Sequence, residues 1–140
     1  MKVHEAMVNN PITLEPSAFV FEAAKQMREK KIGSIIVVQK GKVLGIVTER
    51  DLVRRVLAEN RDPRTVQIHD IMTTPVVTIT SNEDIIDAAQ LMKAKGIRRL
   101  VIIDDGKLIG IITTDDLARN MKRAVEELAI TIHTMEERAH

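Results

Sequence analysis

The feature that most constrains this chain is that it is written twice. Shifting the sequence by 65 residues (Gly45 onto Gly110) lays 4–57 on 69–122 without a gap. His4 falls on His69, Met7 on Met72, Thr13 on Thr78, Ala23-Ala24 on Ala88-Ala89, Met27 on Met92 and Ile32 on Ile97. Gly41-Lys42 falls on Gly106-Lys107, and Gly45, Thr48, Asp51 and Leu52 fall on Gly110, Thr113, Asp116 and Leu117. Many remaining pairs exchange Ile, Val and Leu. Ordered self-similarity of this kind means one supersecondary unit used twice, so the fold has to accommodate two like halves.

Each half reads as β-α-β-β-α. A short strand is predicted at Ile12–Leu14 and Val76–Ile79, and a helix over about 18–30 and 83–95. Val20, Ala23, Ala24 and Met27, or Ile85, Ala88, Ala89 and Met92, recur at helical spacing and form the buried face. Ser81 and Asp84 have the spacing of a capping box. Two β-branched runs follow in each half, SIIVVQ with KVLGIVT and RLVIID with KLIGIIT, joined at Lys40-Gly41 and Asp105-Gly106. Asp-Gly is a hairpin signal because both residues tolerate positive φ. The runs are apolar at successive positions, so both sheet faces are expected to be covered. A second helix follows each GIxT phrase, with Leu52, Val53, Val56 and Leu57 expected on one side in the first half. The expected division is a first unit over 1–60, a linker over 61–67 containing Asp62-Pro63, a second unit over 68–122, and a tail over 123–140. In the tail Val125, Leu128, Ala129 and Ile132 recur at helical spacing, predicting a further helix with a frayed end beyond Met135.

Bulk composition narrows the function classes. The chain has 140 residues, 44% hydrophobic and 29% charged, enough apolar content to bury a core. Its 21 basic and 20 acidic residues give a net charge of +1, which argues against a dedicated nucleic-acid surface. Phe19 and Phe21 are its only aromatic residues, too few for stacking single-stranded bases. There is no Cys, so thiolate and disulfide chemistry are excluded and a reducing compartment is expected. The first residues, MKVHEAMVNN, lack the apolar core of a secretion signal, and no apolar run reaches a membrane span of about 18 residues. A cytoplasmic protein is expected. His4 and His69 are repeat-related, but no spacing resembles a metal site, and no nucleophile–base constellation is present. Neither metal binding nor catalysis is expected.

The repeated phrase GIVTERD (Gly45–Asp51) and GIITTDD (Gly110–Asp116) admits two uses. Thr48-x-x-Asp51 and Thr113-x-x-Asp116 fit the signal that opens a helix, where a cap alone stabilises by about 1 kcal/mol and needs no ligand. The same geometry suits a nucleotide. A helix N-terminus offers free N–H groups to phosphate, a Thr hydroxyl adds a donor, and an ionised Asp accepts hydrogen bonds from ribose hydroxyls. Ile12 with Ile32, and Val77 with Ile97, offer apolar surface for a base, although each taken singly serves equally as core. The halves differ where Gly33-Ser34 aligns with Arg98-Arg99. Paired Arg opening a strand serve either as a solvated sheet edge or as a phosphate clamp.

The ordered set HEAMVNNPITLEP, KKIGSIIVV, GKVLGIVTERDL and then HDIMTTPVVTITS, KGIRRLVIIDDGKLIGIITTDDL resembles a tandem pair of cystathionine-β-synthase (CBS) domains, over about residues 3–122. The resemblance implies an α/β fold of the α+β kind. Two β-α-β-β-α repeats pack sheet to sheet about a pseudo-twofold axis, with up to two clefts between them and the C-terminal helix added. It implies an adenosine-containing ligand (AMP, ADP, ATP or S-adenosylmethionine), a regulatory role without catalysis, a homodimer and a separate regulated protein. It assigns Thr48 and Thr113 to phosphate, Asp51 and Asp116 to ribose, and Thr13 and Thr78 to the cleft walls. It also implies that Arg98 and Arg99 reach across the pseudo-twofold toward Thr48 and Asp51. Arg50 adds charge there, while Gly33 and Ser34 face Thr113 and Asp116 in a less basic twin, beside Asp115. The homodimer surface is expected at Leu52, Val56, Leu117 and Met121. A ligand-free dimerising scaffold and a nucleic-acid binder using Arg54, Arg55, Arg61 and Arg64 are the competing classes.

Overall fold

In the computed structural model, which describes residues 1–139, the two halves form two sheets packed face to face with helices outside. The elements are α1 (Val3–Ala6), β1 (Val8–Asn9), β2 (Thr13–Leu14), α2 (Val20–Lys30), β3 (Ser34–Gln39), β4 (Lys42–Thr48) and α3 (Glu49–Leu52). β5 (Thr78–Ile79), α4 (Ile85–Lys95), β6 (Arg99–Asp104), β7 (Lys107–Thr113) and α5 (Thr114–Ala139) follow. Within each half the register repeats. β2 is parallel to β3 (Thr13 opposite Ile36) as β5 is to β6 (Thr78 opposite Val101), and β3–β4 and β6–β7 are antiparallel hairpins. Both hairpins turn through two residues at positive φ, Lys40-Gly41 and Asp105-Gly106, as their right-handed twist requires.

Three cores account for the continuous apolar strands. Alternation sends Ile35, Val37 and Val47 toward α2, and Leu100, Ile102 and Ile112 toward α4. The opposite faces meet each other through Ile36, Val101 and Ile111, with Ile46, Val76 and Leu108 around them. This sheet-to-sheet core lies on the pseudo-twofold.

The halves also exchange their leading segments. β1 belongs to the second sheet, antiparallel to β7, with Val8 opposite Ile111. Its repeat mate Thr73 bonds the first sheet, donating its N–H to the Ile46 carbonyl (2.8 Å) and accepting from Ile46 N–H (3.1 Å). Val3 and Ala6 of α1 are buried in the core of the second half, while Ile68 and Ile71 are buried in that of the first. The two glycines of the repeated phrase permit this crossing. A Cβ on Gly45 would lie 2.6 Å from Met72 Sδ and 3.0 Å from the Thr73 carbonyl, and one on Gly110 would lie 2.7 Å from Met7 Sδ and 2.9 Å from the Val8 carbonyl.

Several local expectations change. Ser81 does not cap α4: its hydroxyl and N–H bond the Asp104 carboxylate, and Asp84 caps instead, accepting from Ile86 N–H at 2.9 Å. A side-chain oxygen that accepts from the N–H two positions on is the ordinary N-cap geometry. The helix after β4 passes into a π-helical turn over Val53–Leu57, which turns Val53 and Leu57 outward (54% and 75% exposed) and leaves Val56 buried. In the second half there is no break. α5 runs without interruption through what was expected to be a separate tail helix to Ala139, including the stretch beyond Met135 expected to fray, and residue 140 lies outside the described residues. Val56 and Leu117 are core residues, so they cannot supply the dimer surface expected of them.

Candidate functional site

Both Thr/Asp pairs form caps. Thr48 N–H donates to Asp51 Oδ2 (2.9 Å), and Asp51 N–H donates to Thr48 Oγ1 (3.3 Å). Thr113 and Asp116 repeat this at 2.9 and 3.2 Å. The reciprocal bonds are those of a capping box. Both carboxylates are buried, Asp51 at 6% and Asp116 at 5% exposure, so each needs partners on its other oxygen. Asp51 Oδ1 accepts from the Thr73 hydroxyl at 3.1 Å and lies 3.7 Å from Arg55 Nε. Asp116 Oδ1 instead accepts from Arg119, because Val8 stands where the first half has Thr73.

Between the halves lies a cleft of about 570 Å³. The first half contributes Gly33, Ile46, Thr48, Glu49 and Arg50, and the second Thr73, Pro75, Val77, Ile97, Arg98 and Arg99. The crossing segment places Thr73 and Pro75 here, and β6 opens with Arg99 at its mouth. Arg99 does reach across the pseudo-twofold. A Cβ on Gly33 would meet its Nη2 at 3.3 Å and Glu49 Oε1 at 3.0 Å, so glycine at 33 makes room for both ends. The Arg99 guanidinium is pulled below its ordinary pKa first by burial. Glu49 opposes that shift, Arg98 adds to it, and Asp51 and Asp115 oppose it. Its Nε is buried and has no hydrogen-bond partner among the described residues. A buried, unpaired donor on a cation is costly, and an anion in the cleft would satisfy it.

Of the residues expected in a site, the cleft brings together Gly33, Thr48, Arg50, Val77, Ile97, Arg98 and Arg99. Asp51 stands behind it and meets it through Thr73, whose hydroxyl both bonds the carboxylate and lies in the wall. Ile12 and Ile32 are not in this cleft but pack on the core of the first half. Thr13 and Thr78 are exposed on β2 and β5 and do not line it, although Thr78 directly follows Val77 of the wall. Ser34 pairs opposite Thr48 in the β3–β4 ladder, as Arg99 does opposite Thr113. Thr113 and Asp116 lie at the repeat-related end. Along the sequence Gly33 and Ser34 align with the two Arg, Asp115 with Arg50 and Val8 with Thr73, although Gly33 itself lines the cleft that holds Arg98 and Arg99. Sequence reasoning missed Thr73, Pro75, Ile46 and Glu49. Glu49 was inside the repeated phrase itself, whereas Thr73 and Pro75 required knowledge of the crossing.

What the cleft can do follows from its lining. Pro75, Val77 and Ile97 offer an apolar wall, and Arg50, Arg98 and Arg99 offer three guanidinium groups against one carboxylate, Glu49. That combination suits a ligand with a flat apolar part and an anionic part. No helix among the described residues is long and apolar enough to cross a membrane.

Known proteins share this architecture. An uncharacterised protein of Methanopyrus kandleri is 44% identical over 119 residues, which are 84% of this chain, and the chain spans 61% of that relative's length. The CBS domain-containing protein YhcV of Bacillus subtilis is 37% identical over 118 residues, 84% of each chain. Among solved structures, the CBS domain pair of protein MJ0100, in complex with 5-methylthioadenosine and S-adenosyl-L-methionine, superposes with a TM-score of 0.78 at 29% identity, covering 86% of this chain and 99% of that one. The profile of the CBS domain matches residues 3–58 and again 68–123. With both halves matched and the paired-sheet architecture shared, the chain belongs to the CBS domain family, as a tandem pair.

Proposed function

We propose that this chain is a regulatory module that binds a phosphorylated adenosine (AMP, ADP or ATP) in the cleft between its halves and performs no chemistry on it. The observation that carries this is Arg99, a half-buried guanidinium from the second half lying beside Gly33 of the first with an unsatisfied donor. Arg98 and Arg50 line the same cleft. Phosphate oxygens would satisfy that donor through charge-assisted bonds, and Val77, Ile97 and Pro75 would hold the base. Ribose would lie toward Thr73 and Asp51. The MJ0100 pair binds adenosine derivatives, which supports the adenosine part. S-adenosylmethionine is the second reading. Its sulfonium would meet three guanidinium groups here, which favours an anionic ligand instead. The repeat-related end, with Gly33, Ser34, Thr113 and Asp116, would take a ligand with less charge or none. A binding event that joins the halves can be passed to a homodimeric partner copy and to a regulated protein, in the cytoplasm.

Calorimetric titration of AMP, ATP, adenosine and S-adenosylmethionine tests the assignment. AMP or ATP is expected to bind most tightly. The double variant Arg98→Ala/Arg99→Ala should lose roughly 3 kcal/mol or more for the nucleotides, given about 1.5–3 kcal/mol for each charge-assisted bond. Adenosine should lose much less. Equal losses for adenosine and AMP would assign the two Arg to the fold, and no heat from any adenosine ligand would favour a ligand-free scaffold.

A further inference from the structure

The last helix is longer than the body can cover. Leu117 is buried, but Met121, Val125, Leu128, Ile132 and Met135 are 48%, 66%, 59%, 49% and 64% exposed. Most helical stability in a protein comes from packing an apolar face rather than from intrinsic propensity. These five residues are separated alternately by four and three positions, which is the 3.5-residue period of a coiled coil rather than the broader stripe of a helix lying on a globular core. In heptad terms Val125 and Ile132 occupy a positions, and Met121, Leu128 and Met135 occupy d positions. Among parallel coiled coils, β-branched residues at a with Leu at d favour two strands, and Val125 and Ile132 with Leu128 between them fit that rule. Ile130, 66% exposed, falls outside the seam.

We propose that α5 pairs in parallel with α5 of a second copy of this chain, forming a two-stranded coiled coil from Met121 to Met135. A second copy is the occupant because the seam complements itself. In parallel register each layer sets a residue against its own counterpart, Val125 on Val125 and Leu128 on Leu128. Of the residues that flank the seam between Met121 and Met135, Ala129 and Thr131 are uncharged and Lys122 is charged, so repulsion between like chains is confined to the base of the seam. The seam also continues into the body. At its base Met121 and the exposed Ala118 border a groove between α4 and α5 with Ala89, so the exposed apolar line does not end where the helix leaves the fold. The pairing does not depend on what the cleft binds.

The chain has no cysteine, which makes a direct test available. Ile132→Cys in the full chain, oxidised mildly without nucleotide, is expected to convert most of the monomer band to a disulfide-linked dimer. A parallel a position brings the two Cα atoms within the roughly 7 Å a disulfide needs. Ile130→Cys, facing away, should remain mostly monomer. Adding Leu128→Lys to Ile132→Cys should abolish the link, with circular dichroism reporting whether the body stays folded. Linking at neither position, equal linking at both, or linking that survives Leu128→Lys would each overturn the proposal. Antiparallel pairing would set 132 against 121, so a link seen only when Met121→Cys and Ile132→Cys are combined would overturn the orientation. None of these results bears on nucleotide affinity, so the two assignments fail separately.

Discussion

At Asp51 one carboxylate serves two ends. It closes the cap with Thr48, accepts from the Thr73 hydroxyl that lies in the cleft wall, and faces Arg55. Asp51→Ala therefore removes the carboxylate half of the capping box, while Thr48 still accepts from the N–H of residue 51, and leaves Thr48 N–H and the Thr73 hydroxyl without their acceptor, a loss of about 2–3 kcal/mol of stability. If ribose also reaches the carboxylate through the Thr73 side, nucleotide affinity should fall together with the melting temperature. Thermal melts paired with calorimetry on the folded variant separate the two effects. A lower melting temperature with unchanged affinity would make Asp51 a cap alone. Asp116→Ala should be the milder change in stability, because its outer partner, Arg119, is largely exposed and can turn to solvent.

At the scale of elements, the repeated phrase owes its glycines to the crossing. Gly45→Ala places a methyl against Met72 Sδ and the Thr73 carbonyl. The thioether can move but the backbone oxygen cannot without breaking its pairing with Ile46, so a loss of about 1–3 kcal/mol is expected by overpacking. Gly110→Ala should cost a similar amount against Met7 and Val8. Denaturant melts check this, and a neutral substitution at either position would mean the crossing strand is free to shift. The strands, both hairpins and the α2 and α4 helices were legible in the sequence because their signals are local: Gly at a turn, apolar residues at helical spacing. The exchange of leading segments was not, since nothing in HEAMVNN indicates which of two like sheets it joins. The Ser81–Asp84 spacing misled because Ser81 found a stronger acceptor, Asp104, from a neighbouring strand. In the site, Arg98 and Arg99 stood out because their repeat mates are Gly and Ser. Thr73 did not, because its mate Val8 is an ordinary apolar residue.

At the scale of the molecule the two halves interlock. Each core contains residues from the other half, and a third core joins the sheets. Deleting residues 1–7 removes the buried Val3 and Ala6 and the packed Met7 from the second half. At about 1.5–3 kcal/mol for each large side chain, that is a substantial fraction of a typical total stability of about 5–15 kcal/mol. Calorimetry of the intact chain should show a single transition, and the truncated chain should melt far lower or not cooperatively. An unchanged melting temperature would make α1 an ornament.

The exchange also sets an order of events during synthesis. Val8 pairs with Ile111, a residue made 103 positions later by the difference of their numbers. The first half needs nothing beyond Thr73 to close its sheet and bury Ile68 and Ile71. It can therefore settle while the ribosome is still producing β6 and β7. Throughout that interval Val3, Ala6 and Met7 have no core to enter, and closing so long a loop comes late in folding. The segment holding Val3, Ala6 and Met7 is thus among the last to find its place, and the β6–β7 hairpin, made long after it, is the one that receives it.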